Sequence, residues 1–200
     1  RFFFDLGGLP SGSGLTAGLE YHHYRLFGGP LDVHAEGRLS VRGYRRLELR
    51  LTDPRLGSSS VFAELLAQYK DYSQVSFYGL GPSSPEAART SYGLEGSTFL
   101  ATLGYRTQRW VNVGVRVGWV DTRIRTGAND DFPSIEEGFG PDEVPGLDEQ
   151  PDLLHGGAFL VLDLRDDPEE PTSGGYYEMQ WTSYRDASVN QYDFHDLLLD

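Results

Sequence analysis

One stretch constrains this chain more than any other: two alternating segments separated by a turn that no ladder could hold. Ala158, Leu160, Leu162 and Leu164 point one way, and Phe159, Val161, Asp163 and Arg165 the other. Further on, Tyr177, Met179, Trp181 and Ser183 alternate with Glu178, Gln180, Thr182 and Tyr184. A period of two marks a strand with two unlike faces. Between the segments lie Pro168, Pro171 and Gly174-Gly175. Proline lacks the donor a ladder needs, and glycine favours turns. The sequence therefore predicts two antiparallel strands joined by a rigid, charged connection.

The same rhythm runs through the rest of the chain. Leu15 to Tyr21 alternates, and Leu31 to Val41 keeps an apolar face against Asp32, His34, Glu36 and Arg38. The phase resumes at Leu47, Leu49 and Leu51, so a turn near Arg42-Gly43 is expected to split a run too long for one strand. Val61 to Tyr69 contains good helix formers, but its alternating neighbours favour strand. Val111, Val113, Val115, Val117 and Trp119 form the clearest apolar face. Eight or nine strands are expected. Short connections fall near 28–30, 54–57 and 107–109, with 166–174 on the same side; long ones fall at 79–90 and 127–152. Outer-membrane barrels show this asymmetry, with short periplasmic turns and long outer loops.

Charge sorts the faces. Glu64, Lys70 and Arg116, with Glu48 and Arg50, share the polar phase, whereas the opposite phase is almost free of charge. A charge facing lipid at midplane costs about 2–4 kcal/mol. The charged phase, including Glu64, Lys70 and Arg116, is therefore read as lumen-facing. The fold class expected is all-β: an antiparallel transmembrane β-barrel, of which these residues form part. No run of about 18 apolar residues exists, but a barrel strand needs only about 9–11 residues with alternate positions apolar. Aromatic content of 13% and 25 glycines suit a barrel. Alternation alone is equally compatible with a soluble, secreted β protein whose apolar face points inward.

The net charge of −13 argues against nucleic acid as a partner. Much of it is local: nine carboxylates and no Lys or Arg lie between Gly127 and Asp152. That segment is read as a solvated, acidic extracellular loop, extended by Pro133, Pro141, Pro145 and Pro151. Its oxygen ligands could attract a divalent cation, but EF-hand spacing is absent. The five histidines, His22, His23, His34, His155 and His195, show no zinc-protease spacing, and His22 and His23 would point to opposite faces. No nucleophile elbow is present. Neither a catalytic site, a metal site nor a cofactor is expected. The absence of cysteine excludes disulfides and is compatible with an oxidising compartment. The chain opens on Arg1-Phe-Phe-Phe without Met, so it is read as a segment of a longer chain.

Asp163, Arg165, Asp166, Pro168, Pro171, Gly174 and Gly175 form a D-x-R-D-x-P-x-x-P-x-x-G-G pattern. It resembles the turn of BamA/TamA-type outer-membrane assembly barrels, the bacterial surface antigen family. Phe77-Tyr-Gly-Leu-Gly-Pro-Ser-Ser84 followed by Arg89-Thr-Ser-Tyr92 is a second stretch similar to that family, in the expected order. The resemblance implies the N-terminal part of a sixteen-stranded outer-membrane barrel. It also implies a role in inserting or translocating outer-membrane proteins, with upstream periplasmic domains that receive the client. Lipid, lipopolysaccharide and unfolded outer-membrane proteins are the partners it implies. Val41-Arg-Gly-Tyr44 matches the letters of the family's VRGF/VRGY motif. It lies about 120 residues before the turn rather than after it, and is read as a chance match; the true counterpart is expected beyond Asp200. A passive channel lined by Glu64, Lys70 and Arg116 is the other membrane reading.

Overall fold

The computed structural model describes residues 1–200 except Ser58, Pro141, Pro145, Glu149 and Glu169. The expectations for Pro141, Pro145 and Glu149 in the acidic loop fall outside the described residues. The strands are β1 (Phe2–Leu6), β2 (Thr16–His23), β3 (Asp32–Ser40), β4 (Arg45–Asp53) and β5 (Val61–Phe77). They continue as β6 (Thr90–Gln108), β7 (Val111–Thr126), β8 (Asp152–Asp163), β9 (Tyr176–Asp186) and β10 (Phe194–Leu199). All ten form one sheet in chain order, each antiparallel to the next. The sheet is open, as in part of a barrel, with β1 and β10 at its edges. The strand beyond the expected eight or nine is β1, whose Phe2 to Leu6 register against Tyr21 to Ala17. The ambiguous 61–69 run is strand, and β5 extends it to 17 residues. The long 31–51 run is split where expected, by a hairpin closed by a bond from Ser40 N–H to the Tyr44 carbonyl at 3.0 Å.

Register carries one alternation across the whole sheet. Glu36 faces Glu48, Glu48 faces Gln68, and Gln68 faces Thr98, so the polar phase stays on one side from strand to strand. Among the described residues no second layer covers either side of most of this sheet, so curvature separates them. Arg38 and Glu48 are 7% and 8% exposed, while Leu39 and Leu47 on the opposite face are 60% and 54% exposed. The polar face is thus the concave, inner one and the apolar face the convex, outer one. Soluble barrels have the reverse arrangement, because water then drives apolar side chains inward.

The outer stripe has a defined height. On β7 it runs from Val111 to Trp119, nine residues, and then turns charged at Asp121, Arg123 and Arg125. On β5 it runs from Val61 to Tyr69 and ends at Asp71. That length matches what a tilted strand needs to cross the hydrocarbon layer, about 9–11 residues. Aromatic residues mark both borders. Tyr69, Phe99 and Trp119 lie at one, with Phe99 stacked on Trp119 at 5.8 Å, and Tyr105, Trp110 and Tyr177 at the other. Such girdles flank the apolar band of outer-membrane barrels. No described helix is long and apolar enough to cross a membrane, which says nothing about strands.

Because each strand reverses direction, the connections sort by end. Segments 24–31, 54–60, 109–110 and 164–175 share one end, and 7–15, 41–44, 78–89, 127–151 and 187–193 the other. Both long loops are at one end, as the lengths implied, but the tight 41–44 hairpin joins them there. The acidic segment is more than an extended loop. It contains a short helix, α1 (Ile135–Gly138), and its Ile135, Val144 and Leu147 pack on Phe77, Tyr92, Ile124 and Phe139. The reading from charge and proline missed these three apolar anchors. Its described carboxylates in the loop, from Asp130 to Asp148, remain exposed.

Candidate functional site

The Pro-Gly turn is a well-bonded structural element between β8 and β9. The Arg165 guanidinium grips Asp163 through two bonds of 2.8 Å, donates to the Pro168 carbonyl at 3.1 Å, and lies over the Tyr176 ring at 5.2 Å. Asp166 accepts bonds from the Thr172 hydroxyl and from the backbone N–H groups of Thr172 and Ser173, both at 3.0 Å. Pro168 and Pro171 fall within the loop these bonds close. Gly174 sits at φ +94, where a Cβ would come within 2.1 Å of the Leu164 carbonyl. Its neighbour Gly175 accepts the Leu164 N–H at 2.8 Å, which continues the ladder.

The hydrogen bonds to Asp166 hold its carboxyl well below the usual carboxylate range, the Thr172 hydroxyl contributing most. A depressed folded-state value stabilises the turn at any pH above the unfolded value of about 3.9, and the contribution is lost as pH falls through the folded value. The Thr172 and Ser173 amides are therefore expected to stay protected from exchange at pH 4 and to lose protection only in much stronger acid. Asp166→Ala should remove that acid transition and expose both amides at neutral pH. Exchange rates that match those of the parent chain would show that Asp166 does not close this turn.

On the inner face, Glu64 lies 3.6 Å from Arg50. Arg116 bonds Gln180, lies 3.7 Å from Glu178, and covers the Phe159 ring at 4.5 Å. Lys70 is paired across β4 with Arg46 and across β6 with Gly96. All three residues share the polar phase, but Glu64 and Arg116 belong to separate networks, so the three form no common site.

The tightest network was not legible as a motif. Arg38 on β3 reaches across β2 to the first strand: it bonds Glu36 on its own strand, Glu20 on β2 at 2.9 Å, and Asp5 on β1. It also donates to the Gly7 carbonyl at 3.0 Å. Gly8 makes room for this, since a Cβ there would meet the guanidinium at 2.3 Å. Asp5, Glu20 and Glu36 share one face of three adjacent strands because Asp5 registers with Gly18, and Glu20 with Glu36. The only sequence signal was the common polar phase; the long reach of arginine does the rest. This network ties β1 to β2 and β3 beyond their backbone ladders.

A second cluster lies one step away. His22 and His34 are directly opposed on β2 and β3, with rings stacked at 4.2 Å, and Glu20 is two residues before His22 on the same face. His23 does point outward, as expected for its neighbour's opposite phase, and shares a 2.9 Å bond with the Tyr21 hydroxyl. The partner that His22 finds across the strands was invisible in local spacing. At the loop end, Tyr44 of the Val41-Arg-Gly-Tyr44 hairpin is almost fully buried against Tyr72, and its hydroxyl donates to the Gln74 carbonyl at 3.0 Å. That placement, at a hairpin over a bulge in β5, gives the four letters a structural use of their own.

No family model matches the sequence, and no curated protein matches it. Among solved structures, the chain is similar to BamA from Haemophilus ducreyi lacking POTRA domains 1–3, with a TM-score of 0.66 at 16% sequence identity. The match covers 98% of this chain and 36% of that one. The fold is that of part of a BamA barrel. The ten-stranded open sheet is thus a BamA-type barrel part, spanning about a third of the chain it resembles. At this identity the likeness concerns fold, and the BamA-type architecture leaves the chemistry of the inner face to be argued from its own residues.

Proposed function

We propose that this chain is the N-terminal part of an outer-membrane β-barrel that inserts or translocates other outer-membrane proteins. In this reading the nine-residue apolar stripe meets lipid, the 127–152 loop lies on the cell exterior beside lipopolysaccharide, and Glu64, Lys70 and Arg116 face a hydrated lumen. The carrying observation is the fold: an open sheet similar to part of a BamA barrel, with a nine-residue apolar stripe on its outer face. Strand β1 joins this sheet through its full ladder with β2 and through the Arg38 contact to Asp5. A barrel of this type whose seam opens would offer unpaired N–H and C=O groups on which another strand can form. Clients would be unfolded outer-membrane proteins, whose strands need such a template.

Depleting the full-length protein from its native cells is the test. A fall in the abundance of other outer-membrane barrels is expected. Unchanged barrels, together with steady open conductance of the purified protein in planar bilayers, would replace this reading with a passive channel. A protein that is monomeric and cooperatively folded in detergent-free buffer would replace both with a secreted β protein.

A further inference from the structure

We infer that Glu20, His22 and His34 form a binding site for a divalent transition metal of the zinc class, on the inner face of β2 and β3 beside the first edge. The three offer one ligand atom each, all within 4.8 Å of one another. The Glu20 Oε2 atom lies 3.5 Å from His22 Nε2 and 4.0 Å from His34 Nε2. Tetrahedral zinc, with bonds of about 2.0–2.1 Å to nitrogen and oxygen, holds its ligand atoms roughly 3.3 Å apart. Small side-chain rotations close that gap. Two imidazoles and one carboxylate are a known zinc donor set that leaves a fourth position for water, and imidazole favours zinc and copper over the hard cations that carboxylates alone attract.

Two further observations single this cluster out from ordinary surface charge. The His34 Nε2 atom is shielded from solvent yet makes no hydrogen bond. A buried nitrogen without a partner costs free energy, and a metal would use its lone pair. The Glu20 carboxylate is also oriented from behind: Arg38 holds Oε1 at 2.9 Å, which turns Oε2 toward the imidazoles. Fixing a ligand through its second oxygen is how outer-shell groups tune metal sites. Arg50 is the cation that faces His34 from β4, but its guanidinium is drawn toward Glu48 at 3.1 Å and Glu64 at 3.6 Å. Glu36 faces Glu20 across the strands and is bonded to Arg38. Phe3 of β1 packs edge-on against His22 at 5.5 Å and closes one flank. A metal here would clamp β2 to β3.

The site stands on the local geometry and does not require the assembly role. The test uses the full-length protein without a histidine tag, purified in detergent, stripped with chelator, and titrated with zinc by calorimetry and with cobalt by visible absorption. One zinc per chain and the visible bands of four-coordinate cobalt are expected. His34→Phe keeps the ring stack and removes the ligand nitrogen. It should weaken zinc on the order of tenfold or more and abolish the cobalt bands. His22→Ala should do the same, whereas His23→Ala, on the outer face, should bind like the parent. Each variant is checked for a strand-type circular dichroism spectrum. Failure of the folded parent protein to take up zinc, or equal uptake by folded His34→Phe and His22→Ala, would overturn the proposal.

Discussion

Val115→Arg is expected to remove about 2–4 kcal/mol from the stability of the protein folded in lipid vesicles, read from urea titrations of folding. Val115 is the middle residue of the Val111–Trp119 stripe, faces outward, and is 52% exposed. It stands between Leu103 on β6 and Ala158 on β8, with no acidic partner in register. At the bilayer midplane, nothing there would hydrate or pair an introduced guanidinium. The adjacent Arg116 shows the contrast, since it points to the inner face and meets Gln180 and Glu178. The outcome separates two physical environments. On a soluble protein, arginine at a half-exposed surface valine usually changes stability by no more than about 0.5 kcal/mol. A change that small would dismiss a lipid-facing exterior, whatever the fold resembles.

Arg38→Met should have an effect of similar or larger size, on a different part of the molecule. The side chain is 9% exposed and bonds three carboxylates from three strands. Removing one partner of a buried ion cluster costs about 3–5 kcal/mol, because the remaining charges are left unpaired. Glu36, itself 8% exposed at the side chain, bears most of that penalty. Strand β1 should show it first, since Arg38 supplies its contacts to Asp5 and Gly7 beyond the ladder with β2. Amide exchange in Phe2–Leu6 is expected to accelerate strongly while β6 and β7, strands of 19 and 16 residues with a partner on each side, stay protected. Equal acceleration throughout would mean that Arg38 supports the whole sheet rather than its first edge. Asp5→Asn should give the same pattern more weakly, because that carboxylate is only half-buried.

Much of this architecture was legible in local sequence. Strand identity follows from period-two alternation, which is a property of neighbouring residues. It placed the hairpin at 164–175 and the break near Gly43. The order of short and long connections followed from counting, because antiparallel strands return to alternate ends. Strand β1 escaped notice because Phe2-Phe-Phe-Asp-Leu6 is too short and too uniformly apolar to show alternation; its pairing with β2 defines it. In the acidic loop, Ile135, Val144 and Leu147 were masked by surrounding charge, and only their packing on Ile124 and Phe139 reveals them.

By itself, then, the sequence determined the strands, the turns and which residues share a face. The tertiary structure decided which face is enclosed, since an alternating strand is the same whether lipid or water lies outside, and only curvature buries Arg38 while exposing Leu39. It also decided which side chains meet. His22 and His34 are twelve positions apart, and Asp5 and Arg38 thirty-three; the register that opposes them depends on the lengths of the connections at 7–15 and 24–31. Cross-strand contacts arise from pairing between segments, and no pattern within one segment contains that information.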